Sequence, residues 1–250
     1  MDPLRVPFGA LRQLLATSRA VYTRAIGNHQ GRVVSVPSPS VAPPVDAIAI
    51  RAGLVRARAA VDRHAAALTR LDAILGDGDH GDNLSTGFRA VEELLAEMPA
   101  DTRPGELLRA VGYRLVATVG GASGPLFGTA FIEAGFRAGD AETLDPPLVG
   151  EMLVAGAAGL ARRGRCSIGD KTILDTLGPA AAAFSEAIIS GRSGREAQAA
   201  ALAAARAGMR STRPLVARRG LALRLGERSA GHLDPGAVSC FVLLLAIAER

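Results

Sequence analysis

The segment LDAILGDGDHGDN, residues 71–83, contains the end of one predicted helix, a glycine-rich turn and the start of the next helix. Upstream of it, the spacing of Leu54, Val61, Ala65 and Leu68 matches the 3.6-residue period of an α-helix. The same succession of apolar helical stretches and glycine-rich loops continues to the end of the chain, and strand-like alternation is hard to find. This pattern predicts an all-α fold.

Eight helices are expected from about residue 51 to the C-terminus. The first begins near residue 51, and the others are expected at about 83–97, 105–118, 125–138, 147–163, 171–190, 195–210 and 235–249. Hydrophobic residues make up 48% of the chain and aromatic residues only 4%, so the core must consist mainly of Ala, Leu, Val and Ile. An all-α domain of the bundle or barrel type follows.

Residues 1–45 differ in composition from the rest. The stretch LRQLLATSRAVYTRAI could form an amphipathic helix, and VVSVPSPSVAPPV is typical of an extended proline-rich linker. The segment is Arg-bearing and nearly free of acids, as transit peptides are, but a linker remnant or a start site placed too early explains it as well. We therefore expect an irregular, flexible extension over 1–45 and one helical domain over 46–250.

Composition excludes several classes of function. The net charge of +5 is small, and the Arg162-Arg163 and Arg218-Arg219 pairs are expected on solvated faces, so no nucleic-acid partner is predicted. Cys166 and Cys240 form no CxxC motif, which argues against a zinc or redox site and favours a reducing, cytoplasmic location. The apolar run at 240–248 is far shorter than the roughly 20 residues of a membrane span.

The acidic turn after the first helix is a candidate metal site. Asp72, Asp77 and Asp79 concentrate negative charge near a helix C-terminus, where an acid is unfavourable. A set of carboxylates without a thiol indicates a hard cation such as Mg²⁺ or Ca²⁺. An EF-hand is excluded because Phe88 stands where its bidentate Glu should be. A glycine-rich turn with an Asp cap is the simpler alternative, but one acid would satisfy it.

Three predicted helix starts have features of an anion site. They are HGDN at 80–83, GGASGP at 120–125 and HLDPG at 232–236. Free backbone N–H groups at a helix start favour anions, and glycine permits close approach of a ligand. Each motif alone is common at ordinary helix junctions. Together with the carboxylates they suggest that several helix ends converge on one anionic ligand, a convergence that spacing cannot demonstrate.

Four blocks resemble, in combination, the nucleotide-binding (L) subunit or domain of dihydroxyacetone kinases. They are LDAILGDGDHGDN, GGASGPLFGT, RGRCSIGDKTILD and ARRGLALRLGERSAGHLDPGAVS, which occur in the family's order over about residues 50–250. The resemblance implies a barrel of eight antiparallel helices with a nucleotide at one end. It also implies that Asp72, Asp77 and Asp79 hold two Mg²⁺ ions that bridge the phosphates of ATP or ADP.

The resemblance also implies which residues lie against the nucleotide. Gly164 and Ile173 would border the base and the sugar, and the other implied contacts are His80, Gly81, Asp82, Asn83, Gly121, Ala122, Ser123, Asp234, Pro235 and Gly236.

Two positions depart from the family pattern. Leu221 replaces an Arg that usually contacts the nucleotide, and Arg224, one turn on, is the expected substitute if the segment is helical. Asp82 occupies a position that is often uncharged. Lys171 is the only lysine in a chain whose other basic side chains are Arg. It is expected at the surface, although its retention as Lys weakly suggests a specific role.

The implied function is that of the L subunit of a short-ketose kinase. In this family, a K subunit or domain holds the triose covalently through a histidine. We expect that subunit to be separate, because the L region and the extension account for all 250 residues. The phosphoryl donor would be ATP or a phosphotransferase-system protein acting on bound ADP, and a homodimer is possible. The alternative is a catalytically weakened, ADP-binding partner of a transcription regulator.

Overall fold

Eight α-helices make up most of the part of the chain that the computed structural model describes, residues 45–249. They are α1 Ala47–Leu75, α2 His80–Glu97, α3 Pro104–Thr118, α4 Ser123–Ala138, α5 Pro146–Gly164, α6 Leu174–Ile189, α7 Gly194–Ser211 and α8 Pro235–Ala248, with a 3₁₀ helix at Leu221–Ser229. Residues 45–249 contain no strand, only an isolated bridge between Val45 and Leu144. The all-α prediction is confirmed, whereas the predicted extension falls almost entirely outside the described residues.

The helices form a closed ring in which each helix packs against the next and α8 returns to α1. Neighbours run antiparallel: Gly81 at the start of α2 lies against Ala65 in the second half of α1, and Gly53 near the start of α1 lies against Ile247 at the end of α8. Because directions alternate around the ring, the starts of α2, α4, α6 and α8 lie at the same end as the C-termini of α1, α3, α5 and α7.

Small residues allow the helices of the ring to pack closely. A Cβ atom added to Gly112 of α3 would lie 2.6 Å from the carbonyl oxygen of Gly128 in α4, so their backbones are in direct contact. Aliphatic side chains and Phe88, which is fully buried, fill the interior. No helix within the described range is long and apolar enough to cross a bilayer.

Two arginines of α1 fix the ends of both neighbouring helices. Arg51 donates to the carbonyl of Leu95 in α2 at 2.6 Å, and Arg56 donates to the carbonyl of Ala246 in α8 at 3.0 Å. The last carbonyls of a helix have no partner within the helix and carry partial negative charge. Cationic side chains from α1 therefore stabilise the register of the ring.

The sixth helix begins later than the predicted residue 171. The carboxylate of Asp175 accepts hydrogen bonds from the amides of Gly169 (2.6 Å) and Thr172 (2.7 Å), and Lys171 has a left-handed backbone with φ of 64°. These contacts hold residues 169–173 as a loop, so α6 starts only at Leu174.

Candidate functional site

A pocket of about 340 Å³ lies at the end of the ring where the even-numbered helices begin. Its wall consists of the α1–α2 turn, the start of α4, the end of α5, the loop before α6, the segment before the 3₁₀ helix and the start of α8. Of the residues predicted from the sequence, the wall contains Asp72, Asp77, Asp79, His80, Asn83, Gly121, Ala122, Ser123, Gly164, Ile173, Asp234, Pro235 and Gly236.

Three predicted residues are not part of this wall. Asp82 and Arg224 are exposed to solvent, and the 3₁₀ helix does not bring Arg224 into the pocket although Leu221 lies there. Gly81 is buried against α1, where an added Cβ would lie 2.0 Å from the carbonyl oxygen of Ala65. Its lack of a side chain is thus required for helix packing, independently of any ligand.

The acidic turn brings its three carboxylates together. Asp72, Asp77 and Asp79 each offer an oxygen, and these atoms lie within 4.8 Å of one another. Asp72 is only 8% exposed, and its Oδ2 accepts hydrogen bonds from the amides of Gly78 (2.9 Å), Asp79 (3.1 Å) and His80 (3.3 Å). These amides compensate for the unfavourable position near the end of α1.

The other two carboxylates of the acidic turn, those of Asp77 and Asp79, are available to bind a cation. The side chains of Asp77 and Asp79 are exposed and make no hydrogen bond or ion pair with residues 45–249. A cluster made only of carboxylate oxygens suits a hard divalent cation rather than a soft one. The residues therefore fit Mg²⁺.

His80 connects the starts of three helices. Its Nε2 lies 2.9 Å from Ser239 Oγ in α8, and its Nδ1 lies 3.0 Å from Ser123 Oγ in α4. Because the Ser239 hydroxyl donates to the Gly236 carbonyl, Nε2 must donate to Ser239 and Nδ1 accepts from Ser123. Burial lowers the pKa of His80, which agrees with this neutral tautomer.

The start of α4 has the properties of an anion site. Its N-cap residue is Ala122, which provides no side-chain cap, and the preceding Gly121 has φ of 65° with no atom near the position of an added Cβ. Uncapped N–H groups and the helix dipole favour a negatively charged ligand at such a start. The space beside Gly121 allows that ligand to approach the backbone.

Two arginines that the sequence placed on solvated faces line this pocket. Arg163 comes from the last turn of α5, and Arg219 precedes the 3₁₀ helix, where its Nε lies 3.4 Å from Asp170 Oδ2. Both side chains are exposed, as predicted for the two Arg pairs, but the sequence did not predict that Arg163 and Arg219 would line the pocket. No local sequence signal distinguishes them, because the distant carboxylate that orients Arg219 is known only from the structure.

The start of α8 is held by Asp234. Its Oδ2 accepts from the amide of Ala237 at 2.7 Å, and its own amide donates to Thr212 Oγ1 at 3.0 Å. Burial raises the pKa of Asp234 to about 7, against a weaker lowering by the Ala237 hydrogen bond. The group changes charge near neutral pH.

We expect Asp234→Asn to flatten the dependence of stability on pH. The raised pKa means that folded Asp234 retains its proton up to about pH 7, so its stabilisation is complete below about pH 4 and is lost as pH rises through 7. The loss should be about 2 kcal/mol, less than the full linkage value because the side chain is partly exposed. Urea unfolding of both proteins from pH 5 to 8 measures it.

Asp145→Asn is the matched control, since Asp145 caps α5 in the same way but is exposed. Asn also caps helices, so neither variant loses its cap. Parallel pH profiles for the native protein and Asp234→Asn would contradict the raised pKa.

Comparison with known proteins identifies the family. The DAK2 domain model matches residues 74–249. The chain is 42% identical over 189 residues to the ADP-binding subunit DhaL of PEP-dependent dihydroxyacetone kinase 2 from Listeria innocua, covering 73% of this chain and 85% of that protein. It is 40% identical over 185 residues to DhaL of the PEP-dependent dihydroxyacetone kinase from Escherichia coli, covering 73% and 88%.

A solved structure has the same fold. The dihydroxyacetone kinase from C. freundii in complex with AMP-PNP and Mg²⁺ superposes with a TM-score of 0.62 at 26% sequence identity. The superposition covers 88% of this chain but 37% of the solved one, so this chain corresponds to little more than a third of that enzyme. The family match, the two relatives and the shared helical fold lead to one conclusion: this chain belongs to the DAK2 domain family.

Proposed function

We propose that this protein is the nucleotide-binding L subunit of a kinase for dihydroxyacetone or a related short ketose. The observation that carries the proposal is that three carboxylates and the uncapped start of α4 line the same pocket. Relatives that match over most of their own length are named ADP-binding subunits of dihydroxyacetone kinases, which supports the same role here.

Asp72, Asp77 and Asp79 would hold Mg²⁺, and we propose two ions. Bound Mg²⁺ neutralises phosphate oxygens of a nucleotide and stabilises the charge that develops in phosphoryl transfer. The chain prepares this site in two ways. Backbone amides fix Asp72 in place. The exposed Asp77 and Asp79 supply carboxylate oxygens that form no hydrogen bond or ion pair with residues 45–249.

Other parts of the wall suit the rest of a nucleotide. The start of α4 at Gly121–Ser123 and the cations Arg163 and Arg219 provide positive potential for a phosphate chain. Gly164 and Ile173 form a less polar part of the wall that would face the base and sugar. His80 holds the start of α2 in position relative to α4 and α8.

The ketose would be presented by a separate K subunit. In the proposed reaction, a hydroxyl group of the ketose attacks the γ-phosphorus of bound ATP and releases its proton to solvent, the bond between the γ-phosphorus and the β-phosphate oxygen breaks, and ADP remains in the pocket. The protein contributes positioning and charge stabilisation. ATP and a phosphotransferase-system protein that rephosphorylates bound ADP are both candidate donors. The PEP-dependent relatives, which are separate subunits matched over most of their length, favour the second.

Two measurements test this function. Mg²⁺ with ADP at 100 times its Kd should raise the free energy of unfolding by about 2.7 kcal/mol. Mixing the full chain with a K subunit and dihydroxyacetone should give phosphorylated product with ATP or with PEP and the phosphotransferase proteins. An unchanged melting temperature would contradict nucleotide binding. ADP binding without transfer from either donor would support the regulatory alternative.

A further inference from the structure

Lys171 has no surface role. It is 2% exposed, and its Nζ donates hydrogen bonds to the carbonyls of Thr212 (2.7 Å) and His232 (2.5 Å). Its backbone is left-handed, with φ of 64°, which disfavours any residue with a Cβ. Such a conformation persists only where the surroundings stabilise it, so the contacts of Lys171 and its neighbours must hold this loop in place.

The two carbonyls belong to segments that meet at the pocket. Thr212 follows α7, and His232 precedes α8, while Lys171 lies on the loop before α6 and contributes to the pocket wall. Thr212 is also fully buried and accepts the amide of Asp234 through its hydroxyl oxygen. One buried cation therefore joins three segments that are distant in sequence.

The connection continues to the start of α8. Asp234 caps this helix, and Ser239 in its second turn accepts from His80, which in turn binds Ser123 at the start of α4. A shift of the segment before α8 would therefore alter several parts of the pocket wall together. Nothing in the proposed phosphoryl transfer requires Lys171 to touch the reacting groups.

We propose that Lys171 is a positioning residue for the nucleotide pocket: its ammonium group ties Thr212 and His232 to the wall loop and so sets the position of Asp234 and the start of α8. The expected effect of Lys171 on nucleotide affinity rests on the proposed function. The expected effect of Lys171 on the protein without ligand does not depend on that function.

The test compares Lys171→Met with Arg213→Met. Met keeps most of the length of the Lys side chain but removes the three donors. Arg213 is the matched control because its exposed Nε donates to the carbonyl of Gly231 at 3.0 Å and joins the same two segments from the solvent side.

Two readouts are taken on the full chain. Without ligand, hydrogen exchange of amides 230–238 should become at least roughly tenfold faster in Lys171→Met, with exchange in α3 unchanged. At a temperature where each protein is folded, calorimetry with Mg²⁺ should show ADP bound at least roughly tenfold more weakly. Arg213→Met should change each quantity less than about threefold.

Lys171→Gln keeps the test decisive if Lys171→Met does not fold. Gln retains a polar N–H group but is shorter and uncharged, so it cannot bind the two carbonyls as the ammonium group does and should speed exchange and weaken ADP binding in the same direction. A lower melting temperature with unchanged exchange at 230–238 and unchanged ADP affinity would show a merely structural lysine and overturn the proposal. If the native protein bound no ADP, the proposed function would fail while the exchange result still decided the positioning role.

Discussion

Asp77→Asn is expected to abolish Mg²⁺-dependent binding of ADP, with an affinity loss of at least about a hundredfold, or about 2.7 kcal/mol. Asp77 is one of three carboxylates whose oxygens lie within 4.8 Å of one another, so the substitution removes a charged ligand from the proposed cation site. Its side chain is exposed and has no hydrogen-bond partner among residues 45–249, so the fold should be retained. Titration calorimetry at saturating Mg²⁺ measures the loss.

Asp82→Asn provides the matched control for this prediction. Asp82 lies in the first turn of α2, five residues from Asp77, and is also exposed but lies outside the pocket wall. Asp82→Asn removes the same charge as Asp77→Asn, so an equal loss of ADP affinity in both variants would show a general effect of net charge. Native ADP affinity in Asp77→Asn would refute the metal assignment. The melting temperature of Asp77→Asn should equal or slightly exceed that of the native protein, because the substitution relieves repulsion between the carboxylates of the turn.

Gly81→Ala is expected to destabilise the protein by about 3 kcal/mol, at the upper end of the usual range for overpacking. The added Cβ would lie 2.0 Å from the carbonyl oxygen of Ala65 and 2.6 Å from Thr69 Oγ1. The first neighbour is backbone in the middle of α1 and cannot move aside as a flexible side chain would. Relief requires α2 to shift away from α1. Urea unfolding monitored by circular dichroism measures the cost.

Gly191→Ala separates crowding from backbone strain. Gly191 has φ of 78° and no atom within 4 Å of an added Cβ, so the substitution should cost only about 1–2 kcal/mol for the left-handed conformation. If Gly81→Ala cost no more than this control, the tight contact between α1 and α2 would be wrong. Because Gly81 was predicted to lie against the nucleotide, ADP affinity of the folded variant also tests whether the glycine serves packing alone.

Much of the fold follows from local signals. Helical periodicity, together with Gly and Pro at the junctions, predicted eight helices, most within a few residues of their observed bounds. The deviations occur where a side chain accepts backbone amides a few residues away in the sequence. Asp175 holds residues 169–173 as a loop by accepting two amides, which delays α6, and Asp72 accepts three amides across the turn before α2. Propensity alone cannot show such contacts.

Most of the residues predicted for the candidate site line the pocket, whereas the chemistry predicted for them stays a prediction. The crowding of Asp72, Asp77 and Asp79 predicts a hard cation because a nearby positive charge would offset the repulsion between like charges. By contrast, Arg163 and Arg219 look like ordinary surface arginines in the sequence, and only their place at the pocket end of the ring gives them a possible role.

By itself, the sequence determined the helical class and the junctions, and it predicts the kind of ligand that the acidic turn favours, because each depends on residues that lie close together in the chain. Only the tertiary structure decided which junctions share a wall. His80 and Ser239, separated by 159 positions, meet because an even number of antiparallel helices closes into a ring and returns α8 to α1. The same closure buries Lys171 against two distant carbonyls, a contact set by packing around the whole ring and therefore absent from any local pattern.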